Sequence, residues 1–161
     1  MRLGPLNIFF MALGLWLGLM AVVFSETPTN NSFRLLDYVD ENRARENWML
    51  NCQGCHKPNG EGLPDSGMPT LVGSVASFLD VPGGREYLGR VPGVINNTLS
   101  DEELAGLLNW LLVEFDPDAI PENFTPYSAE EVSAFRQNPL GSEAPAVRSA
   151  IVERIKDAED N

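Results

Sequence analysis

The first apolar run of the chain, 6–24, reads LNIFFMALGLWLGLMAVVF and carries no charge. Arg2 precedes it, and Glu26 and a polar TPTNNS stretch follow it. Such a run just suffices to span a bilayer, and it exceeds the apolar region of an ordinary export signal. Residues 1–25 are therefore expected to be a cleaved signal peptide or a retained membrane anchor. Positive charge lies only before the run, so the remainder should face away from the cytoplasm.

Beyond it the spacing is helical. In DYVDENRARENWMLNCQGCH, Ala44, Trp48 and Cys52 recur every four residues and share one face. In LSDEELAGLLNWLLVEF, Ser100 and Glu103 spell a capping box, and Leu104, Leu107, Leu108, Leu111 and Phe115 form an apolar stripe. Between these two, PGGREYLGRVPG predicts a short helix over 85–90 between glycine and proline punctuation. After Phe115, Pro117, Pro121 and Pro126 predict an extended segment running over the surface. A helix follows in SAEEVSAFRQNPL, capped by Ser128 and Glu131, and another in EAPAVRSAIVERIKDAED, with Val147, Ile151 and Ile155 on one face. No repeat or low-complexity tract interrupts the pattern. The expected architecture is all-α: a domain over 26–116 and a helical extension over 117–161. The extension either covers apolar surface of the domain or serves as a docking arm for a partner.

The chain has 161 residues, long enough for one core with some length to spare. Its 23 Asp and Glu outweigh 11 Lys and Arg, giving a net charge of -12. Nucleic-acid binding is excluded on this balance, because neutralising phosphates needs basic patches. An acidic surface keeps the protein soluble or steers it toward basic partners.

Both cysteines and the only histidine fall within five consecutive positions, Cys52-Gln53-Gly54-Cys55-His56. A disulfide would close a very short loop and remove little chain entropy. A thioredoxin-like redox pair lacks the βαβ pattern around it, and zinc lacks a fourth ligand. C-x-x-C-H reads instead as covalent haem c attachment. Two sulfurs form thioethers to the vinyl groups on one edge of the porphyrin, and the next residue places an imidazole under the iron. Export is a requirement of that chemistry, in agreement with the segment 6–24.

With this motif, the preceding helix and the later amphipathic helix, the chain resembles the class I (monohaem) c-type cytochromes over about 33–115. The resemblance implies a helical domain around one covalent haem c per chain, with Ala44, Trp48 and Trp110 where the first and last helices cross. GMPTLVG, 67–73, is similar to the family's G-P-x-L-x-G segment. It implies that the Pro69 carbonyl accepts a hydrogen bond from His56 and that Leu71 packs on the haem. It also implies single-electron carriage between a periplasmic dehydrogenase or other donor and a terminal oxidase or cytochrome. No catalytic residue is expected.

One feature departs from the family. Electron-transfer members place a methionine opposite the histidine shortly before the last helix, in a Met-Pro context, and here Val91-Pro92 stands there. The only methionine after His56 is Met68. Either a rearranged loop makes Met68 the axial ligand, or the iron is five-coordinate or bound by water, Asn96 or Asn97. The second case would suit a gas-binding or sensory haem protein. A non-haem structural subunit with a Cys52–Cys55 disulfide is a third alternative. Arg85 and Arg90 are expected as surface charges or partners of haem propionates.

Overall fold

The computed structural model describes residues 39–160. The segment 6–24 lies outside them, and among the described residues no helix is long and apolar enough to cross a membrane. The helices are α1 (Glu41–Asn51), α2 (Gln53–His56), α3 (Gly84–Arg90), α4 (Pro92–Ile95), α5 (Asp101–Phe115), α6 (Ala129–Arg136) and α7 (Ala144–Glu159), with single 3-10 turns between several of them. Among the described residues there is no strand, only an isolated bridge between Leu63 and Met68.

α1 begins where Asp40 Oδ1 accepts the Arg43 N–H, and α5 begins at the Ser100–Glu103 capping box the sequence spells. Each cap satisfies backbone donors that the first turn leaves without partners. α1 is mostly polar and buries only Ala44, Asn47 and Trp48. Ala44 and Trp48 press onto α5, which buries nine of its side chains. Trp48 is the centre of the crossing, 4.9 Å from the Phe115 ring and 6.3 Å from Trp110. Truncating so large a buried ring to alanine costs about 3–5 kcal/mol.

The C-terminal segment is part of the same core. Ile120, Tyr127, Val132 and Phe135 join Trp48, Trp110 and Leu104 in one cluster. The stretch after Phe115 thus does not simply run over the surface: its apolar residues turn inward, and Tyr127 is almost fully enclosed. Asn109, buried on α5, holds it in place. Its Nδ2 donates to Tyr127 O (3.0 Å) and its Oδ1 accepts from Tyr127 N (2.8 Å). α7 forms a second, smaller cluster in which Ile151, Val147 and Ile155 meet Phe78 and Val81. The face read from the sequence is the face that packs.

Arg85 and Arg90, expected as surface charges or partners of haem propionates, each bond the C-terminal segment. Arg85 is bidentate to Glu131 at 2.7 and 2.6 Å, donates to Thr125 O, and lies over the rings of Tyr127 and Phe124. Arg90 Nε donates to Asn138 O at 2.6 Å. Both cations fasten the C-terminal segment to α3. The 3-10 turn Ala76–Asp80 and the short α4 were not visible in the sequence, since neither carries a full helical period.

Replacing Asn109 by alanine leaves the buried N–H and C=O of Tyr127 without partners. Two orphaned backbone groups predict a loss of about 3 kcal/mol, read as a lower urea midpoint at unchanged m-value. A loss below about 0.5 kcal/mol would show that the clamp contributes nothing.

Candidate haem site

The chain turns at Cys52, and α2 follows at once, so Cys52, Cys55 and His56 occupy one short helical stretch. The amides of Cys55 and His56 both bond to Cys52 O, at 3.1 and 3.0 Å. Lys57, at φ 61°, then turns the chain away. The two thiols are not joined: Cys52 is half-buried and Cys55 is exposed. Burial, then the neighbouring Cys55, push the Cys52 thiol up to about 11.

Pro69 O stands 3.2 Å from His56 Nδ1. Burial lowers the His56 pKa from its ordinary value, against the opposing effect of the Pro69 carbonyl. A carbonyl oxygen only accepts, so the hydrogen directed at Pro69 O belongs to Nδ1, and Nε2 is the ring nitrogen left for a ligand bond. Trp48 lies beside it, ring centres 6.0 Å apart, and its indole N–H donates to Pro58 O (3.2 Å).

The loop 57–73 that carries Pro69 is tied at several points. Leu63 and Met68 exchange both backbone hydrogen bonds, Gly62 N donates to His56 O at 2.9 Å, Leu71 N to Gly60 O at 2.8 Å, and Gly73 N to Phe115 O at 2.9 Å. Met68 is half-buried next to Pro69, and Leu71 is half-buried against the main core. In the segment 91–99 the side chain of Asn97 is already engaged, by Val94 O, Leu99 N and Arg136. Asn96 is exposed.

These residues fit a haem. They offer two unjoined thiols, one imidazole lone pair and a fixed tautomer. The exposed large apolar side chains among the described residues, Met49, Leu50, Leu63 and Val72, flank the motif in sequence. A bare ion fits less well, since among the described residues no group of three or more His, Cys, Asp or Glu is placed to hold one. Gly60 and Gly62, which seat the loop, and Trp48 Nε1 were missed at the level of sequence. The glycine spacing in NGEG was the available signal.

An all-helical domain with a thiol–thiol–imidazole turn docked under a helix crossing defines the c-type cytochrome class. No family model matches the chain. Two curated relatives do. One is cytochrome c-552 of Thermus thermophilus, 36% identical over an alignment of 107 residues that takes in 55% of this chain and 81% of the relative. The other is cytochrome c-552 of a defined strain of the same species, 36% identical with 72% of the relative covered. The chain belongs to the monohaem c-type cytochrome family, with the class I all-α fold, one covalent haem c per chain and the role of an electron carrier. Nothing in these comparisons favours the gas-binding alternative.

The burial of Cys52 predicts unequal thiols in the haem-free chain. With a pKa of about 11, roughly one Cys52 in a thousand is thiolate at pH 8. Iodoacetamide should label exposed Cys55 first and Cys52 at least about tenfold more slowly. Peptide mapping by mass spectrometry checks this, and equal labelling rates would refute it.

Proposed function

We propose that this cytochrome carries single electrons between redox proteins outside the cytoplasm, through a haem attached at Cys52 and Cys55 and ligated by His56. The observation that carries this reading is the placement of the His56 ring: it directly follows the two cysteines, and its Nδ1 stands 3.2 Å from Pro69 O, which leaves Nε2 to coordinate. Haem bound there supplies an iron that gains and loses one electron. The two cysteines tether it to the turn, so that a small domain keeps a cofactor it encloses incompletely. Pro69 O orients the imidazole and raises its basicity, which tunes the iron. Leu71, held by its bond to Gly60 O, supplies an apolar contact beside the ring.

Met68 is assigned to the His56 side of the haem. Its N–H and C=O are both used by Leu63, and the next residue is bonded to the His56 ring. It is not the distal ligand in this reading, and the potential is set by burial and by hydrogen bonds on the proximal side.

The run 6–24 supports export and residence at the periplasmic side, free or anchored. The net charge of -12 favours donors and acceptors with basic docking surfaces. A periplasmic dehydrogenase as donor and an oxidase or second cytochrome as acceptor match the resemblance.

The first test is intact mass under denaturing conditions, on the full chain expressed with haem c maturation machinery. One haem per chain should survive denaturation and be lost from C52S/C55S. A haem-free wild type would refute the assignment. In the loaded protein, Met68→Leu should leave the oxidised and reduced visible spectra unchanged, whereas conversion to a high-spin spectrum would make Met68 the ligand after all.

The charge gives a second expectation. At low salt a cationic metal complex should exchange electrons with the protein at least about tenfold faster than an anionic one of similar driving force. The preference should collapse near 1 M salt, where the Debye length is about 3 Å. Stopped-flow rates that ignore salt would remove electrostatic steering from the reading.

A further inference from the structure

We propose that Gly62 is a positioning residue for the iron: its lack of a side chain lets the Pro69 carbonyl reach His56, and so sets the reduction potential. The inference rests on the reading of His56 as iron ligand. Gly62 is buried and lies at φ 68°, in the left-handed region where a side chain is strained. Its N–H donates to His56 O at 2.9 Å. A methyl group on Gly62 would stand 2.3 Å from Pro69 O, and 2.6 Å from both Met68 O and Pro69 C. One residue thus bonds the main chain of His56 and abuts the acceptor of its ring.

The neighbours it would strike are backbone atoms and cannot swing aside as a side chain does. The Leu63–Met68 pair and the Leu71–Gly60 bond hold the segment on either side of Pro69. Any methyl must therefore displace the Pro69 carbonyl. The Nδ1···O distance is already 3.2 Å, at the long end of the N–H···O range, so a shift of a few tenths of an ångström breaks the bond. A ring without that acceptor is a weaker base toward iron and favours the ferric state less, so the potential rises.

Gly60 is the matched comparison. It is also buried and left-handed, at φ 77°, but a methyl there meets the Phe115 ring at 2.6 and 2.7 Å, not Pro69. The experiment compares Gly62→Ala and Gly60→Ala with wild type in the full haem-loaded chain, by redox titration, thermal unfolding and nuclear magnetic resonance of the His56 Hδ1 proton. Both variants should unfold at lower temperature. Only Gly62→Ala should raise the potential and speed Hδ1 exchange with solvent. An unchanged potential and a protected Hδ1 in Gly62→Ala, or an equal rise in both variants, would overturn the proposal. If Gly62→Ala does not load haem, Hδ1 in the wild type decides: protection from exchange supports the bond, and free exchange overturns it. A wild type without covalent haem would instead sink the functional reading, so the two failures are distinguishable.

Discussion

The Trp48 side chain joins what would otherwise be three separate pieces. Its ring packs on Phe115 and Trp110 of α5 and lies beside the His56 ring, and its indole N–H holds the loop after the motif through Pro58 O. α1 has little reason to be helical alone: it is short, largely polar, and below the length at which isolated helices persist in water. Docking of Ala44 and Trp48 onto α5 supplies its stability, and the turn bearing Cys52, Cys55 and His56 inherits its position from that docking. The exposed Arg43–Glu103 pair at the start of both helices adds little by comparison. The site is therefore only as rigid as the crossing.

From the crossing outward, polar contacts do much of the ordering. Asp116 ends α5, and its buried carboxylate accepts the Ala76 amide at 2.8 Å, which fixes where the Ala76–Asp80 turn begins. Burial raises its pKa in spite of that bond and a second one to Ser77. Such a carboxyl stabilises the fold most when protonated: its contribution is full below the ordinary value of 3.8 and falls as pH rises through the higher folded-state value. Asn109 and Arg85 act in the same way, each a polar side chain whose partners lie in the segment after Phe115. That is why 117–161 cannot be treated as an appendage. Its apolar residues enter the core where polar groups on α3 and α5 admit its backbone.

How much of this was legible in sequence follows from the range over which each signal acts. The capping box at Ser100 and the α5 stripe are local patterns, and the structure repeats them almost residue for residue, whereas at Ser128 only half the box forms: the Ser128 hydroxyl accepts the Glu131 N–H, and the Glu131 carboxylate goes to Arg85. The C-x-x-C-H turn was equally plain, because its chemistry is confined to neighbouring positions. The partners of Arg85 were not legible because they are tens of residues away, and spacing cannot show a bond from α3 to Glu131. Tyr127 was placed in a surface segment because prolines mark extended backbone without saying which way its side chains point. Gly60 and Gly62 read as ordinary turn residues. Only the fold shows that one lies under Phe115 and the other under Pro69.

A carrier exchanges electrons readily when its redox site changes little between oxidation states, so the segments around the haem have reason to be held firmly. The loop 57–73 meets this demand through hydrogen bonds to the motif and to the end of α5. The segment 91–99, which resembles the place where relatives of this fold set their second ligand, meets it differently. At its start Arg90 exchanges bonds with the C-terminal segment, Arg90 Nε to Asn138 O and Leu140 N to Arg90 O. At its end Arg136 donates to Leu99 O at 2.6 Å and pairs with Asp101. Val91 offers iron nothing, and no methionine follows Met68, so this stretch cannot be fixed by a bond to the metal from Val91 or a methionine. Residues of the C-terminal segment fasten it at both ends instead. The length beyond the amphipathic helix, which composition alone leaves without a purpose, thus holds this stretch at its start and at its end.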